Sequence, residues 1–315
     1  MPSEFLHQLA DFGDLIGVVS REKGIVPQLI EKDYWIMHSL YGLLQQGFDF
    51  ELKGGTSLSK AYRIIHRFSE DIDLRMDPPA GMDVKCGKNQ TKPAHIASRA
   101  TFFDYLAETI KIHGISEVKR DHAFDNTTLL SAGIRLFYSE RFPRLEGLKA
   151  GILLELGFDD TTPNESIDIS SWVVDKALAL GLEFIDNRAA GVKCYHPAYT
   201  FVEKLQAVST KFRKQQAEGT FPENFLRHYY DIYCLLGEGR VQEFIGTDEY
   251  EQRKIKRFPD ADNRDISTNE AFLLTDPAVR ALYEVEYAKT RGLYYAGMVE
   301  LDVILGRLQE NMDRL

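Results

Sequence analysis

Two adjacent glycines followed by two alternating aspartates constrain this chain more than any other feature of its sequence. Gly54 and Gly55 come directly after a short strand pattern that ends at Lys53. Glycine adopts positive φ angles without strain and lets a ligand approach the backbone closely. The spacing of apolar residues from Thr56 to Ile65 then predicts a helix that begins at the turn. Backbone N–H groups at such a helix start commonly bind phosphate.

The aspartates occupy alternate positions of a predicted strand. Asp71 and Asp73 are separated by one residue, and residues i and i+2 of a strand face the same way, so their carboxylates lie side by side. Adjacent carboxylates repel each other unless a cation lies between them. Mg²⁺, or alternatively Mn²⁺, suits this position because it takes oxygen ligands and keeps substrate phosphates in its shell. The turn and the strand therefore predict a site for a nucleoside triphosphate (NTP) with its metal, rather than two ordinary polar residues on an exposed strand.

Further motifs accompany the glycine turn. The order GGTSLSK, then RFSEDIDL, resembles the nucleotidyltransferase superfamily, and the form RFSEDIDL is similar to the AbiEii/AbiGii toxin branch, which includes the mycobacterial MenT toxins. The run EKDYW, Lys204 in a VEKL helix and Asp231 in an RxxxD helix also resemble motifs of that family. The resemblance spans about Glu31 to Leu236.

This resemblance implies roles for individual residues. The catalytic residues would be Asp71 and Asp73, which bind the metal, Lys204, which neutralises triphosphate charge, and Asp231. The role of Asp231 is open between binding metal, orienting Lys204 and activating the acceptor; alternatively, it forms an i,i+4 ion pair with Arg227. The candidate nucleotide-binding residues around the turn are Lys53, Gly54, Gly55, Thr56, Ser57, Lys60, Arg67 and Ser69.

Glu155 is a candidate third metal ligand. It lies in an apolar strand pattern, GILLELG, and an acid in such a strand needs a partner. Nucleotidyltransferases, which this chain resembles, carry a third acid on a later strand. Glu155 is therefore either a ligand of the metal or a structural glutamate in a salt bridge.

The order of elements predicts an α/β fold with two parts. Residues 1–196 would form a nucleotidyltransferase-like core, a small mixed sheet with flanking helices that carries the turn and the aspartates. Residues 197–315 would form a mostly helical C-terminal lobe that closes the active-site cleft. A hydrophobic content of 44% is sufficient for a packed core of this size.

The run EKDYW has two interpretations. Glu31, Lys32 and Asp33 follow one another in a predicted helix that begins near Pro27. The three charges could form a solvated helix face. Alternatively, Lys32 or Asp33 braces the active site from behind.

Charge and composition restrict the partners and the compartment. The net charge is −10, so RNA binding needs a local basic patch, and the loop 77–94, with Lys85, Lys88 and Lys92, offers a lid or a binding arm. The sequence shows no signal peptide and no apolar run long enough for a membrane span. Three scattered cysteines indicate free thiols in a reducing compartment. We therefore expect a cytoplasmic protein with no membrane partner.

The resemblance implies a toxin of a bacterial toxin–antitoxin pair that functions in phage defence. Its partners would be an NTP, an RNA acceptor such as the tRNA 3′ end, and an AbiEi-like or other antitoxin. The reaction would transfer a nucleotide to the acceptor and release pyrophosphate. Two alternatives remain: a nucleotidyltransferase that is not a toxin and modifies a protein or small molecule, and a nucleotide-binding protein without catalysis.

Overall fold

One mixed β-sheet organises the N-terminal part of the chain. A computed structural model describes residues 2–145 and 147–315, and within these residues seven strands form a single sheet in the order β3-β4-β5-β2-β1-β7-β6. The strands are β1 (Phe50–Lys53), β2 (Asp71–Met76), β3 (Ile115–Asp121), β4 (Ser131–Tyr138), β5 (Ile152–Gly157), β6 (Asn164–Ile169) and β7 (Ala189–Tyr195). The predicted α/β class with a mixed sheet is confirmed.

The three central strands define the register of the site. β1 pairs with β2 in antiparallel orientation, so that Lys53 is opposite Asp73. β2 pairs with β5 in parallel, and this register places Glu155 beside Asp73. Ile72 and Leu74 alternate with the aspartates and are fully buried, so this face of β2 contributes to the core.

The chain divides into two compact units. The first comprises Met1–Ala61 and Ser69–Tyr195, and the second comprises Tyr62–Phe68 and His196–Leu315. The helices of the first unit are α1 (Phe12–Lys23), α2 (Pro27–Gln45), α3 (Gly54–Thr56), which continues as a π-helical turn (Ser57–Ala61), α4 (Pro93–Thr109) and α5 (Trp172–Ala179). The predicted division between residues 196 and 197 stays a prediction.

The second unit is helical. Its longest helix, α6, begins with Pro197 after the capping residue His196 and ends at Glu218, before Gly219, which has a φ of 71°. Proline at the first turn and a left-handed glycine after the last turn are typical helix boundaries. The helices are α6 (Pro197–Glu218), α7 (Arg227–Leu235), α8 (Gly239–Phe244), α9 (Asp248–Arg257), α10 (Glu270–Leu273), α11 (Pro277–Ala288) and α12 (Leu301–Glu310).

The helix predicted from Thr56 to Ile65 is wrong at both ends. Helical structure begins at Gly54 and ends at Ala61, and Arg63 has a left-handed φ of 58°. A side chain in that region is strained, so the helix cannot continue through it. None of the helices in the described part of the chain has the length and apolar character that a membrane span requires.

Candidate active site

The glycine turn and the two aspartates meet at the end of β1. Gly54 has a φ of 70°, and a Cβ atom added to it would overlap Oδ2 of Asp73. Only glycine therefore combines this backbone conformation with the close approach of the carboxylate. Asp71 and Asp73 lie on the same face of β2, as the alternation of the sequence predicts.

Glu155 lies on the same face of the sheet as the aspartates. Asp73 and Glu155 are Cα partners of the parallel pair β2–β5, and partners in register project to the same side. Both residues are half-buried. The sheet thus places a third carboxylate next to Asp73, and a role of Glu155 in binding metal stays a prediction.

Asp71 has two oxygen atoms in different surroundings. Oδ2 accepts a hydrogen bond from Nζ of Lys149, at 2.8 Å. Oδ1 is buried and has no hydrogen-bond partner among the residues that the structure describes. A buried carboxylate oxygen without a donor is costly unless a cation or a donor satisfies it. Lys149 has no motif around it in the sequence, and sequence reasoning missed it.

The residues of the EKD run are buried and paired, so they do not form a solvated helix face. Glu31, Lys32 and Asp33 are each at most 2% exposed. Lys32 donates to Oε2 of Glu70 at 2.9 Å and to the carbonyl oxygen of Lys149 at 2.7 Å. Burial lowers the pKa of the Lys32 ammonium, and the charge of Glu70 opposes that shift. Lys32 therefore contacts Glu70, which precedes Asp71 in the chain, and Lys149, which pairs with Asp71. These contacts support the interpretation that Lys32 braces the active site.

Asp33 braces the other side of the turn. Its carboxylate forms an ion pair with Lys60, in the π-helical turn, and accepts a hydrogen bond from the backbone N–H of Trp172 at 2.9 Å. Nζ of Lys60 also lies 4.9 Å from the centre of the Trp172 ring, within the range of a cation–π contact. Because Asp33 holds Lys60, a contact between Lys60 and a phosphate stays a prediction.

The other predicted phosphate-binding side chains have varied surroundings. The hydroxyl of Thr56 is fully buried and donates to the carbonyl oxygen of Asp71 at 2.5 Å, so it ties the turn to β2. Ser57 is also buried, whereas Ser69 is half-buried. Nζ of Lys53 lies 3.5 Å from Asp159. Their roles in nucleotide binding stay predictions.

A buried ionic cluster lies in the second unit. Asp231 is fully buried and accepts hydrogen bonds from Nε and Nη2 of Arg67, at 2.6 and 2.7 Å. Nζ of Lys204 lies 2.8 Å from Oδ2 of the same carboxylate, and Nδ1 of His228 lies 3.4 Å from that Nζ. Arg67 is therefore held by Asp231 and is 1% exposed.

The charges of this cluster are mutually stabilised. Burial alone raises the pKa of the Asp231 carboxyl, but Arg67 and then Lys204 hold it well below its usual range. Burial, followed by the charge of Lys204, holds the pKa of the His228 imidazole well below its usual value, so His228 is neutral at pH 7. A neutral imidazole can accept a hydrogen bond from the Lys204 ammonium. The cluster thus fixes the position of Lys204, whose side chain is 10% exposed.

Backbone contacts incorporate the segment Tyr62–Phe68 into the second unit. Arg67 forms an isolated β-bridge with Tyr294, and the N–H of Phe68 donates to the carbonyl oxygen of Leu293 at 2.9 Å. The N–H of His66 donates to the hydroxyl of Tyr230 at 3.2 Å. This segment lies in the chain between the glycine turn and β2. The glycine motif and the aspartate motif of the first unit are therefore linked in sequence by residues that belong to the second unit.

The donor set fits a divalent metal ion that arrives with a triphosphate. Across residues 2–145 and 147–315, no three or more His, Cys, Asp or Glu side chains group closely enough to hold a metal by themselves. Mg²⁺ does not require such a cage, because it commonly binds one or two carboxylates, waters and substrate phosphates. Asp71 and Asp73 would provide the two carboxylates, and the buried Oδ1 of Asp71 has no hydrogen-bond partner among the described residues.

Among the comparisons with known proteins, the match to a protein family agrees with this chemistry. A crystal structure of an antigenic nucleotidyltransferase-like protein from Paracoccidioides brasiliensis matches 80% of this chain and 92% of its own, with 12% identity and a TM-score of 0.37, which is too low to carry an argument. No curated protein sequence matches the chain. The model of the family described as "Nucleotidyl transferase AbiEii toxin, Type IV TA system" matches residues 40–300, which include the glycine turn, both aspartates, Lys204 and Asp231. The chain therefore belongs to the AbiEii family of toxins from type IV toxin–antitoxin systems, and it is a nucleotidyltransferase.

Proposed function

We propose that this toxin transfers a nucleotide from an NTP to the 3′ end of a tRNA in a Mg²⁺-dependent reaction. Membership of the family implies the NTP substrate and an antitoxin partner, whereas the metal and the acceptor are our inference. The observation that carries the proposal is the arrangement of Asp71 and Asp73 on one face of β2, with Asp73 packed against Gly54. This arrangement presents two carboxylates next to a backbone turn that has no side chain.

The first unit supplies the residues for the metal and the phosphates. Asp71 and Asp73 would hold Mg²⁺, and Glu155 is a further candidate ligand. When bound, the metal would polarise the α-phosphate and align the attacking hydroxyl. Gly54 lets the Asp73 carboxylate lie directly against the turn, because a side chain at Gly54 would occupy the position of that carboxylate.

The reaction forms one bond and breaks another. A hydroxyl oxygen of the acceptor bonds to the α-phosphorus and loses its proton, while the bond from that phosphorus to the oxygen bridging to the β-phosphate breaks, and pyrophosphate leaves. Cations stabilise the charge that develops in such transfers. Lys204 is our candidate for this role, and Asp231 positions it through the 2.8 Å contact.

The acceptor is the part of the proposal that needs direct measurement. The purified protein is incubated with each of the four α-labelled NTPs, Mg²⁺ and a desalted bacterial lysate, and the label is then separated into RNA, protein and small-molecule fractions. We expect label in RNA of tRNA size, and its loss when the RNA 3′ ends are first oxidised with periodate. Asp73→Asn protein is the control for contaminating activity.

Other outcomes identify the alternatives. Label in the protein fraction or in the small-molecule fraction would show that the acceptor is a protein or a small molecule instead of a tRNA. Label that enters RNA equally well without any divalent cation would contradict the role of the metal. Binding of NTP without label in any fraction would favour a nucleotide-binding protein that lacks catalysis.

A further inference from the structure

Lys149 supplies a cation to the carboxylate that we assign to the metal. Its Nζ lies 2.8 Å from Oδ2 of Asp71, and the side chains of Lys149 and Asp71 are 19% and 10% exposed. A pair with this shielding attracts more strongly than one in open water, yet a solute can still reach the ammonium. The ammonium therefore occupies one of the oxygens that a metal ion would use.

The position of Lys149 is fixed through its backbone. Its N–H donates to Oε2 of Glu70 at 3.0 Å, and its carbonyl oxygen accepts from Nζ of Lys32 at 2.7 Å. Lys32 and Glu70 also pair with each other at 2.9 Å, and Lys32 is 1% exposed. Glu70 immediately precedes Asp71 in the chain. The Lys32–Glu70 pair thus holds the backbone of Lys149 in place beside β2, while its side chain carries the ammonium to Asp71 and to a position 4.8 Å from the centre of the Phe124 ring.

We propose that Lys149 competes with the divalent cation for Asp71 and binds the triphosphate when nucleotide arrives. This inference rests on the proposed function, in which Asp71 is a metal ligand. Without nucleotide, the ammonium neutralises Asp71, so its positive charge opposes a cation that binds the same carboxylate. A triphosphate offers the ammonium another anionic partner, and the flexible four-carbon stem of lysine allows it to turn from one to the other.

The consequence is that the site takes up metal and nucleotide together. Nucleotide that draws Lys149 away from Asp71 makes the carboxylate available to the metal, and metal on Asp71 makes Lys149 available to the nucleotide. Such coupling between two ligands is necessarily reciprocal. It follows that removal of the Lys149 charge changes the two affinities in opposite directions.

The test measures each ligand alone. Mn²⁺ binding to the nucleotide-free protein is followed by electron paramagnetic resonance, and binding of an α,β-methylene NTP analogue is measured by calorimetry in EDTA. For Lys149→Met we expect Mn²⁺ to bind about tenfold tighter, equivalent to about 1.4 kcal/mol, and the analogue to bind about tenfold weaker, by the same relation. Lys149→Arg keeps the charge and should retain weak binding of Mn²⁺.

A matched control separates this effect from general electrostatics. Lys193 forms an ion pair with Asp49 at the same distance of 2.8 Å, in the first unit but outside the proposed site. Lys193→Met should leave both affinities unchanged. Circular dichroism confirms folding of each variant, and Lys149→Gln replaces Lys149→Met if the latter is unfolded.

The outcomes separate this inference from the function on which it rests. Unchanged or weaker Mn²⁺ binding in a folded Lys149→Met protein would overturn the competition. Loss of Mn²⁺ binding in Asp71→Asn would, in the same experiment, still support Asp71 as a metal ligand. If Asp71→Asn binds Mn²⁺ as well as the unaltered protein does, the metal assignment fails and the inference fails with it. Opposite shifts of the two affinities support it, since a general loss of structure would weaken both.

Discussion

The guanidinium of Arg67 and the carboxylate of Asp231 form a two-point ion pair across 164 positions of the sequence, and both side chains are at most 1% exposed. Arg67 belongs to the RFSEDIDL motif and Asp231 to the helical second half of the chain. The pair therefore unites two of the family motifs within the second unit. It also explains why Asp231 sits in a fully buried position, which an unpaired carboxylate could not occupy.

We predict that Asp231→Asn is among the most destabilising conservative changes in the chain. It leaves the buried Arg67 without its counter-charge, and breaking a buried pair costs about 3–5 kcal/mol. Urea unfolding measures this loss. The control is Asp302→Asn, which removes a 65% exposed partner of Arg280 and should change the free energy of unfolding by less than about 0.5 kcal/mol. Equal losses in the two variants would contradict the structural role of the pair.

Lys204→Met separates catalysis from stability. Asp231 keeps Arg67 as its partner, so the loss of stability should be about 1.5–3 kcal/mol, the range for one hydrogen bond to a charged group. The rate of transfer should fall by about 10³-fold, since cations that act on transferring phosphoryl groups can be worth that much. Single-turnover transfer at saturating NTP is the measurement. A near-normal rate would remove Lys204 from the reaction and leave it as part of the buried cluster.

Gly54→Ala tests the packing of the turn against Asp73. The substitution strains a backbone with φ of 70° and pushes its Cβ into the Asp73 carboxylate. Gly24→Ala is the control, because Gly24 has a φ of 66° and no atom within 4 Å of an added Cβ. Both changes should cost about 1–2 kcal/mol for the left-handed conformation, but only Gly54→Ala should abolish nucleotide transfer. Similar activity in the two variants would show that the position of Asp73 is not critical.

Acid should destabilise the first unit through two histidines near its N-terminus. Burial, then the neighbouring histidines, lowers the pKa of His7 to about 3, and burial lowers the pKa of His38 to about 4. The unfolded chain takes up these protons near pH 6.5, so the stabilising contribution is complete above that pH. It is lost as pH falls from 6.5 towards 4, by about 1.4 kcal/mol per pH unit for the buried His38 and by less for His7, which is partly exposed and screened by solvent.

The measurement is thermal unfolding from pH 7.5 to pH 4.5. His38→Gln should flatten the pH dependence. The variant is less stable than the unaltered protein, because Nδ1 of His38 accepts a hydrogen bond from the amide of Asn187 and Nε2 donates one to the carbonyl oxygen of His113. His122, which is 74% exposed, provides the control, and His122→Gln should retain the full slope. A pH profile that stays unchanged in His38→Gln would assign the acid sensitivity to other groups.

The parts of the site that follow from local periodicity could be predicted from the sequence. The shared face of Asp71 and Asp73 follows from the two-residue repeat of a strand, and the need for glycine at position 54 follows from the turn. The parts that depend on distant pairings could not. Lys149 reaches Asp71 from 78 positions away, and no pattern around it marks a functional residue.

The spacing of apolar residues also gives a wrong prediction where contacts between distant parts of the chain determine the structure. Helical spacing extends through Ile65, yet the helix stops at Ala61 because Tyr62–Phe68 pairs with the second unit. The spacing of Arg227 and Asp231 gives no sign of Arg67 and Lys204, which contact the Asp231 carboxylate at 2.6–2.8 Å. β6 could not be predicted from the sequence, because a polar edge strand carries little hydrophobic alternation.

The assignment of Tyr62–Phe68 to the second unit has a consequence for how such genes can recombine. A crossover between two family members at residue 196 would combine the C-terminal helices of one parent with the Tyr62–Phe68 segment of the other. Arg67 of one parent would then have to form its buried ion pair with Asp231 of the other parent. A chimaera that keeps the whole second unit of one parent must therefore take two separate stretches of coding sequence from it, those for Tyr62–Phe68 and His196–Leu315.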